Sequence, residues 1–186
     1  MSTRKRKFPL GWMCIALLLF AACSQDSEWQ RFMEAGEKAV QAGHDREAER
    51  WFQASLTEVK EFGPGDVRYA TSLQRLGDLY LRQKDYDRAA SHYWQALPAW
   101  AQSLGPEDPH MAESLKGLAN IYDVRGDLHL AAPLIKRALH IQEKAYGFTH
   151  PALAGTLTQY RDVLVKQRKH EEARAVEQRL AVLDRP

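Results

Sequence analysis

Apolar residues recur along the chain with a helical period. Leu73, Leu76, Gly77 and Tyr80 stand at i, i+3, i+4 and i+7, which places them on one stripe of a helix. Ala89, Tyr93, Ala96 and Leu97 form a second stripe, and Lys84-Asp85 separates the two. The pattern therefore predicts two amphipathic helices joined by a short turn, an antiparallel hairpin. The hairpin repeats. At an offset of 42, Leu73 falls on Leu115 and Leu157, Leu76 on Leu118 and Tyr160, and Tyr80 on Tyr122 and Leu164. Ala89 likewise falls on Ala131 and Ala173. A weaker copy 41 residues upstream carries Phe32, Ala35, Gly36, Ala39, Ala48 and Phe52. Four copies are predicted, over 29–62, 70–104, 112–146 and 154–184, and together they make one domain over 28–184.

The turn of the third copy is Arg125-Gly126-Asp127, where Gly ends one helix and Asp starts the next. Small residues set how closely the helices approach. Gly77 or Ala119 on the first helix is expected to face Ala89 or Ala131 on the second, with Tyr80, Tyr93, Tyr122 and Ile135 filling the space around them. One hairpin cannot bury both of its faces, so it must stack on the next. The fold class is all-α, an α-α superhelix of about four hairpins.

Leu-x2-Leu-Gly-x2-Tyr followed by Ala-x3-Tyr-x2-Ala resembles the tetratricopeptide repeat. The 42-residue period is longer than the usual 34, and it is similar to the subclass found in kinesin light chain and its bacterial relatives. The hallmark of that subclass is a Gly-Pro-x-x-His-Pro-like connector. Here the connectors read Gly63-Pro64-Gly65-Asp66, Gly105-Pro106-Glu107-Asp108-Pro109-His110 and Gly147-Phe148-Thr149-His150-Pro151. The resemblance spans about 155 of the 186 residues and is strongest in the second and third copies. The fourth copy departs from it late, with Arg161 at a usually small position and Glu177 at a usually aromatic one.

The resemblance implies a binding groove lined by the first helices, with contacts from positions 2, 5, 9 and 12 of each copy. Carried over, these are Thr71, Gln74, Asp78 and Leu81; Glu113, Lys116, Asn120 and Asp123; and Gly155, Thr158, Asp162 and Val165. Among them Gln74, Asp78, Lys116, Asn120, Asp123, Thr158 and Asp162 are the candidate partner-binding residues. Asn120 stands out because an amide both donates to and accepts from an extended peptide backbone. Lys116 and Asn120, one turn apart, resemble part of a carboxylate clamp for C-terminal tails, but the clamp's other members are not matched.

Composition adds an N-terminal segment of a different kind. The formal net charge is +2, and Arg4, Lys5, Arg6 and Lys7 supply the excess; without residues 1–22 the chain has 22 basic and 24 acidic residues. A near-neutral body gives no electrostatic reason to expect nucleic-acid binding. The basic run precedes about 15 mostly apolar residues, Phe8 to Ala22, too few to span a bilayer as a helix. Positive head, apolar stretch and small residues make the plan of a secretory signal. Phe20-Ala21-Ala22-Cys23 resembles the bacterial lipobox, with Phe20 where that family usually has Leu. The resemblance implies a signal peptide over 1–22, acylation of Cys23 and a short linker over 23–27. The absence of Asp after the cysteine (Ser24 stands there) implies the outer rather than the inner membrane, facing the periplasm. The two cysteines, Cys14 and Cys23, both precede the repeats, which excludes disulfides or thiolate metal sites in the body.

No catalytic pattern accompanies the repeats, so the chain is not expected to be an enzyme or to carry a cofactor or metal. No Gly-rich phosphate loop is present, and the seven histidines include no i, i+4 pair. His110 and His150 occupy similar places in successive connectors and read as loop residues. Trp51, Trp94 and Trp100 fall on second helices and read as packing or convex surface. The expected function is a lipid-anchored scaffold that holds a protein or peptide partner in its groove, in assembly of an envelope complex. The alternative is a homo-oligomerising module with no separate ligand.

Overall fold

The computed structural model describes residues 28–183; the predicted signal peptide, Cys23 and the 23–27 linker lie outside them. Eight α-helices stand among the described residues, and they pair as predicted. α1 (28–41) and α2 (Asp45–Val59) form the first hairpin, α3 (Val67–Arg82) and α4 (Tyr86–Ser103) the second. α5 (Pro109–Arg125) with α6 (Leu128–Tyr146) and α7 (Ala154–Lys166) with α8 (His170–Leu183) complete the row. Each second helix also packs on the hairpin that follows it, α2 on α3, α4 on α5 and α6 on α7.

Local chemistry places the helix ends. Asp66, Asp85 and Asp108 occupy N-caps and accept from the backbone N–H of Arg68, Arg88 and His110 at 2.8, 3.1 and 2.9 Å. Asp127 takes the same position before α6, but its carboxylate makes no capping bond. The residue closing each intra-hairpin turn is left-handed in all four copies: Gly43, Lys84, Gly126 and Arg168, with φ of 75°, 60°, 81° and 61°. Lys84 and Arg168 adopt this conformation despite their Cβ, which costs roughly 1 kcal/mol each. The turn therefore comes from tertiary pairing as much as from residue choice.

The hairpins are joined by buried polar bonds as well as by apolar contacts. Ser72, Ser114 and Thr156 stand at the third position of successive copies, and all three are fully buried. Ser72 Oγ accepts from Ser55 and from the Trp29 indole, both at 3.0 Å. Ser114 donates to Gln74 Oε1, and Thr156 donates to Gln142 Oε1 at 2.6 Å. Each hydroxyl thus satisfies a polar group at a joint between helices. On the opposite edge Arg82 pairs with Asp45 and Arg125 with Asp87 at 2.5 Å, tying the ends of α3 and α5 to the starts of α2 and α4.

The tryptophans divide as the pattern implied. Trp100 is buried and stacks on His110 at 4.7 Å between centroids, Trp51 stacks on Phe32 at 5.9 Å, and Trp94 is exposed. His150 stacks on Tyr146 at 5.1 Å, and its Nδ1 accepts from Ala152 N–H at 3.2 Å. Both connector histidines are thus engaged in holding their loops.

Candidate functional site: the concave cleft

A cleft of about 800 Å³ lies where α3, α5 and α7 run side by side. Asp78 and Leu81 line it from α3, Glu113, Lys116, Asn120 and Asp123 from α5, and Gly155, Thr158, Asp162 and Val165 from α7. Ten of the twelve carried-over positions therefore meet in one concavity. Thr71 and Gln74 do not. Thr71 Oγ1 bonds back to Val67 O at 2.8 Å. Gln74 is buried between α3 and α5, where it accepts from Ser114 and donates to Asp78 Oδ1 at 3.0 Å. It supports the cleft from behind rather than reaching a partner in it.

Tyr93, Gly117, Gln159 and Lys166 also line the cleft, although the repeat positions did not mark them. Tyr93 comes from α4, a second helix, and passes between two glycines. A Cβ on Gly77 would stand 2.7 Å from Tyr93 Cε1, and one on Gly117 would stand 2.4 Å from its Cζ. The ring fills both places, so the nearest neighbour of Gly77 across the hairpin is Tyr93, a partner that the small-residue pattern did not mark. At its tip the hydroxyl donates to Asp78 Oδ1 at 2.8 Å.

Asp78 is the most perturbed acid of the cleft. Burial raises its pKa, opposed by the hydrogen bonds from Tyr93 and Gln74 and by Arg75, whose Nη1 lies 3.8 Å away. Its side chain is still 43 % exposed, because the carboxylate opens into the concavity. The neighbouring phenol of Tyr93 is pushed up too, by burial first and then by the charge of Asp78.

The remaining charges are largely tied. Lys116 Nζ meets both carboxylate oxygens of Glu113 at 3.0 Å, and Lys166 Nζ meets those of Asp123 at 2.7 and 2.6 Å. Arg161 pairs with Asp162 at 2.7 Å. Gln159 Nε2 donates to Lys116 O at 3.1 Å and so fixes α7 against α5. Asn120 is exposed, and its amide has no hydrogen-bond partner among the described residues. A Cβ on Gly155 would meet no atom within 4 Å, so the start of α7 offers open backbone to the cleft.

Asp78 supplies a pH test. Its pKa is higher in the folded chain than in the unfolded one, so the folded form holds the proton more tightly. The stability linked to it is fully present below the unfolded value, about pH 3.9, and is lost as pH rises through the folded value. Asp78→Asn keeps an oxygen for Tyr93 and Gln74 but removes the ionisation. The variant is expected to gain stability relative to the parent between about pH 3.5 and about pH 7, read from urea midpoints at both. A relative loss over that interval would contradict the desolvated carboxylate.

The tetratricopeptide repeat family model matches residues 40–102 and again 82–144, together more than half of the chain. The chain belongs to the tetratricopeptide repeat family. Repeats of this family generally mediate protein–protein interaction or scaffolding. The matched spans centre on the second and third copies, where the repeat pattern is also strongest. Solved structures with the same fold include BtubC (BKLC) from P. vanneervenii, with a TM-score of 0.76 and 20% identity over 85% of this chain. This chain spans 64% of that one. A Podosopora anserina putative kinesin light chain with nearly identical TPR-like repeats superposes with a TM-score of 0.72 at 20% identity, over 84% of this chain and 75% of that one. A single-residue variant of that protein gives 0.73 at 20% identity, over 84% and 74%. These likenesses establish the superhelical fold. No curated protein matches the chain.

Proposed function

We propose that this protein is a lipid-anchored scaffold of the bacterial envelope that holds an extended segment of a partner protein in the cleft between α3, α5 and α7. The observation that carries the reading is that the free amide of Asn120 and the partly desolvated Asp78 line one open cleft. An extended peptide presents backbone N–H and C=O groups, and an amide serves both. A carboxylate kept in a concavity is ready to accept from a donor that arrives with the partner. The tied lysines would yield to partner groups only by exchanging one pairing for another, which favours specificity over raw affinity.

The anchor is proposed at Cys23, acylated after removal of residues 1–22, with the body facing the periplasm from the outer membrane. The support is the basic head, the apolar stretch and the lipobox-like Phe20-Ala21-Ala22-Cys23. None of the helices among the described residues is long and apolar enough to cross a membrane. Incorporation of labelled fatty acid should disappear in Cys23→Ala, and label that persists would refute the anchor.

The cleft is tested by Lys116→Ala, Asn120→Ala and Asp162→Ala combined. All three side chains line the cleft without filling the core, so helicity should be unchanged. Capture of a cross-linked partner from envelope extract should fall by about tenfold or more, the equivalent of losing one or two polar contacts. Undiminished capture would place binding elsewhere on the protein.

A further inference from the structure

One edge of the superhelix carries a row of exposed apolar side chains that neither the core nor the cleft uses. Phe62, Leu104 and Tyr146 each immediately precede a connector glycine, at a spacing of 42 residues, and all three are exposed. Phe148, in the third connector, is 70 % exposed, more than any other large hydrophobic among the described residues. Such side chains scattered singly need no explanation, but a row at one edge does.

The chain enters the repeats at this same edge. α1 runs antiparallel to α2, so Glu28 lies beside the end of α2 and the first connector; Trp29 bonds there to Ser72 near the start of α3. Five residue steps separate Glu28 from Cys23, a reach of roughly 18 Å when fully extended. Charges along the edge nearly cancel: Asp66 pairs with Arg68 at 2.7 Å, Glu107 with Lys144 at 3.2 Å and Glu143 with Arg179 at 2.6 Å, while Lys60 and Glu61, beside Phe62, are exposed and offset each other without an ion pair among the described residues. A near-neutral edge with aromatic tips suits a headgroup layer, where Phe and Tyr rings bury apolar area while charged side chains such as Lys60 and Glu61 stay among the polar headgroups.

The geometry points to this connector edge as a membrane-docking surface, with Phe148, Tyr146, Leu104 and Phe62 entering the headgroup region of the bilayer to which Cys23 ties the chain. The inference rests on acylation of Cys23. Docked in this way the helices stand up from the membrane. With helices about 25 Å long, the cleft runs along the surface and a partner in it is held close to the bilayer.

The test places p-benzoylphenylalanine at Phe148 or, for comparison, at the exposed Trp94 in the acylated full chain. The chain is reconstituted in phosphatidylethanolamine and phosphatidylglycerol vesicles and irradiated. Burial of one ring corresponds to about tenfold in occupancy, so phospholipid adducts should be about tenfold more abundant from position 148. Equal yields from both positions would overturn the inference. Adducts from 148 that carry protein instead of lipid would assign the edge to a partner or a second copy and overturn it as well. The mass of the N-terminal peptide reports acylation separately. If Cys23 proves unmodified, the anchor reading fails, and coupling its thiol to a maleimide lipid lets the same comparison judge the edge alone.

Discussion

Replacing Tyr93 by alanine is expected to lower stability by about 4 kcal/mol, the scale on which buried aromatic residues resist truncation. The side chain is 1 % exposed and lies between Gly77 of α3 and Gly117 of α5. It therefore belongs to two repeats at once. Its loss leaves a cavity at the joint between the second and third hairpins, and it removes the 2.8 Å donor from Asp78. In a row of stacked repeats stability is divided between the hairpins and their interfaces, so a damaged joint also weakens cooperativity. Urea unfolding followed by circular dichroism should show a lower midpoint and a broader transition. Tyr93→Phe should cost only about 1 kcal/mol, since it removes one hydrogen bond and leaves the packing in place. Equal losses for the two variants would mean that the ring is not the joint.

Gly117→Ala is expected to destabilise by about 2 kcal/mol, although alanine is the better helix former by about 1 kcal/mol. The new methyl would stand 2.4 and 2.5 Å from Cζ and Cε2 of Tyr93. That ring cannot swing away, because Gly77 confines its other side and Asp78 holds its hydroxyl. The sign should reverse once the ring is gone. In a Tyr93→Ala background the same substitution meets a cavity, and only its helix propensity remains. The double variant should then be as stable as Tyr93→Ala alone or up to about 1 kcal/mol more so, a coupling of about 2 to about 3 kcal/mol between the two positions. Additive losses in the two backgrounds would contradict the slot.

The hairpins and their 42-residue stacking were legible in the sequence because apolar stripes at i, i+3, i+4 and i+7 report helix faces directly. The cleft was legible through the family resemblance, as ten of the twelve carried-over positions line it. What escaped follows from contacts that break the period. Gly77 and Gly117 are 40 residues apart, not 42, so repeat alignment does not reveal that one ring uses both. Gln74 occupies a position that faces the groove elsewhere in the family. Here Ser114 and Asp78 draw it inward, an interaction between helices that no single repeat encodes. Lys84 and Arg168 turn left-handed without glycine because the paired helices impose that turn on them.

The central claim, that a partner is held between α3, α5 and α7, is tested most directly by mapping a zero-length carbodiimide cross-link between the acylated protein and its partner in envelope membranes. Asp87 on α4 is 93 % exposed, far more open than Asp78 at 43 % or Asp162 at 51 %. Random collision would therefore favour Asp87. Binding in the cleft predicts cross-links from Asp78, Glu113 and Asp162 in preference to Asp87, despite their lower exposure. Cross-links that follow exposure, with Asp87 foremost and the cleft carboxylates unmodified, would contradict it.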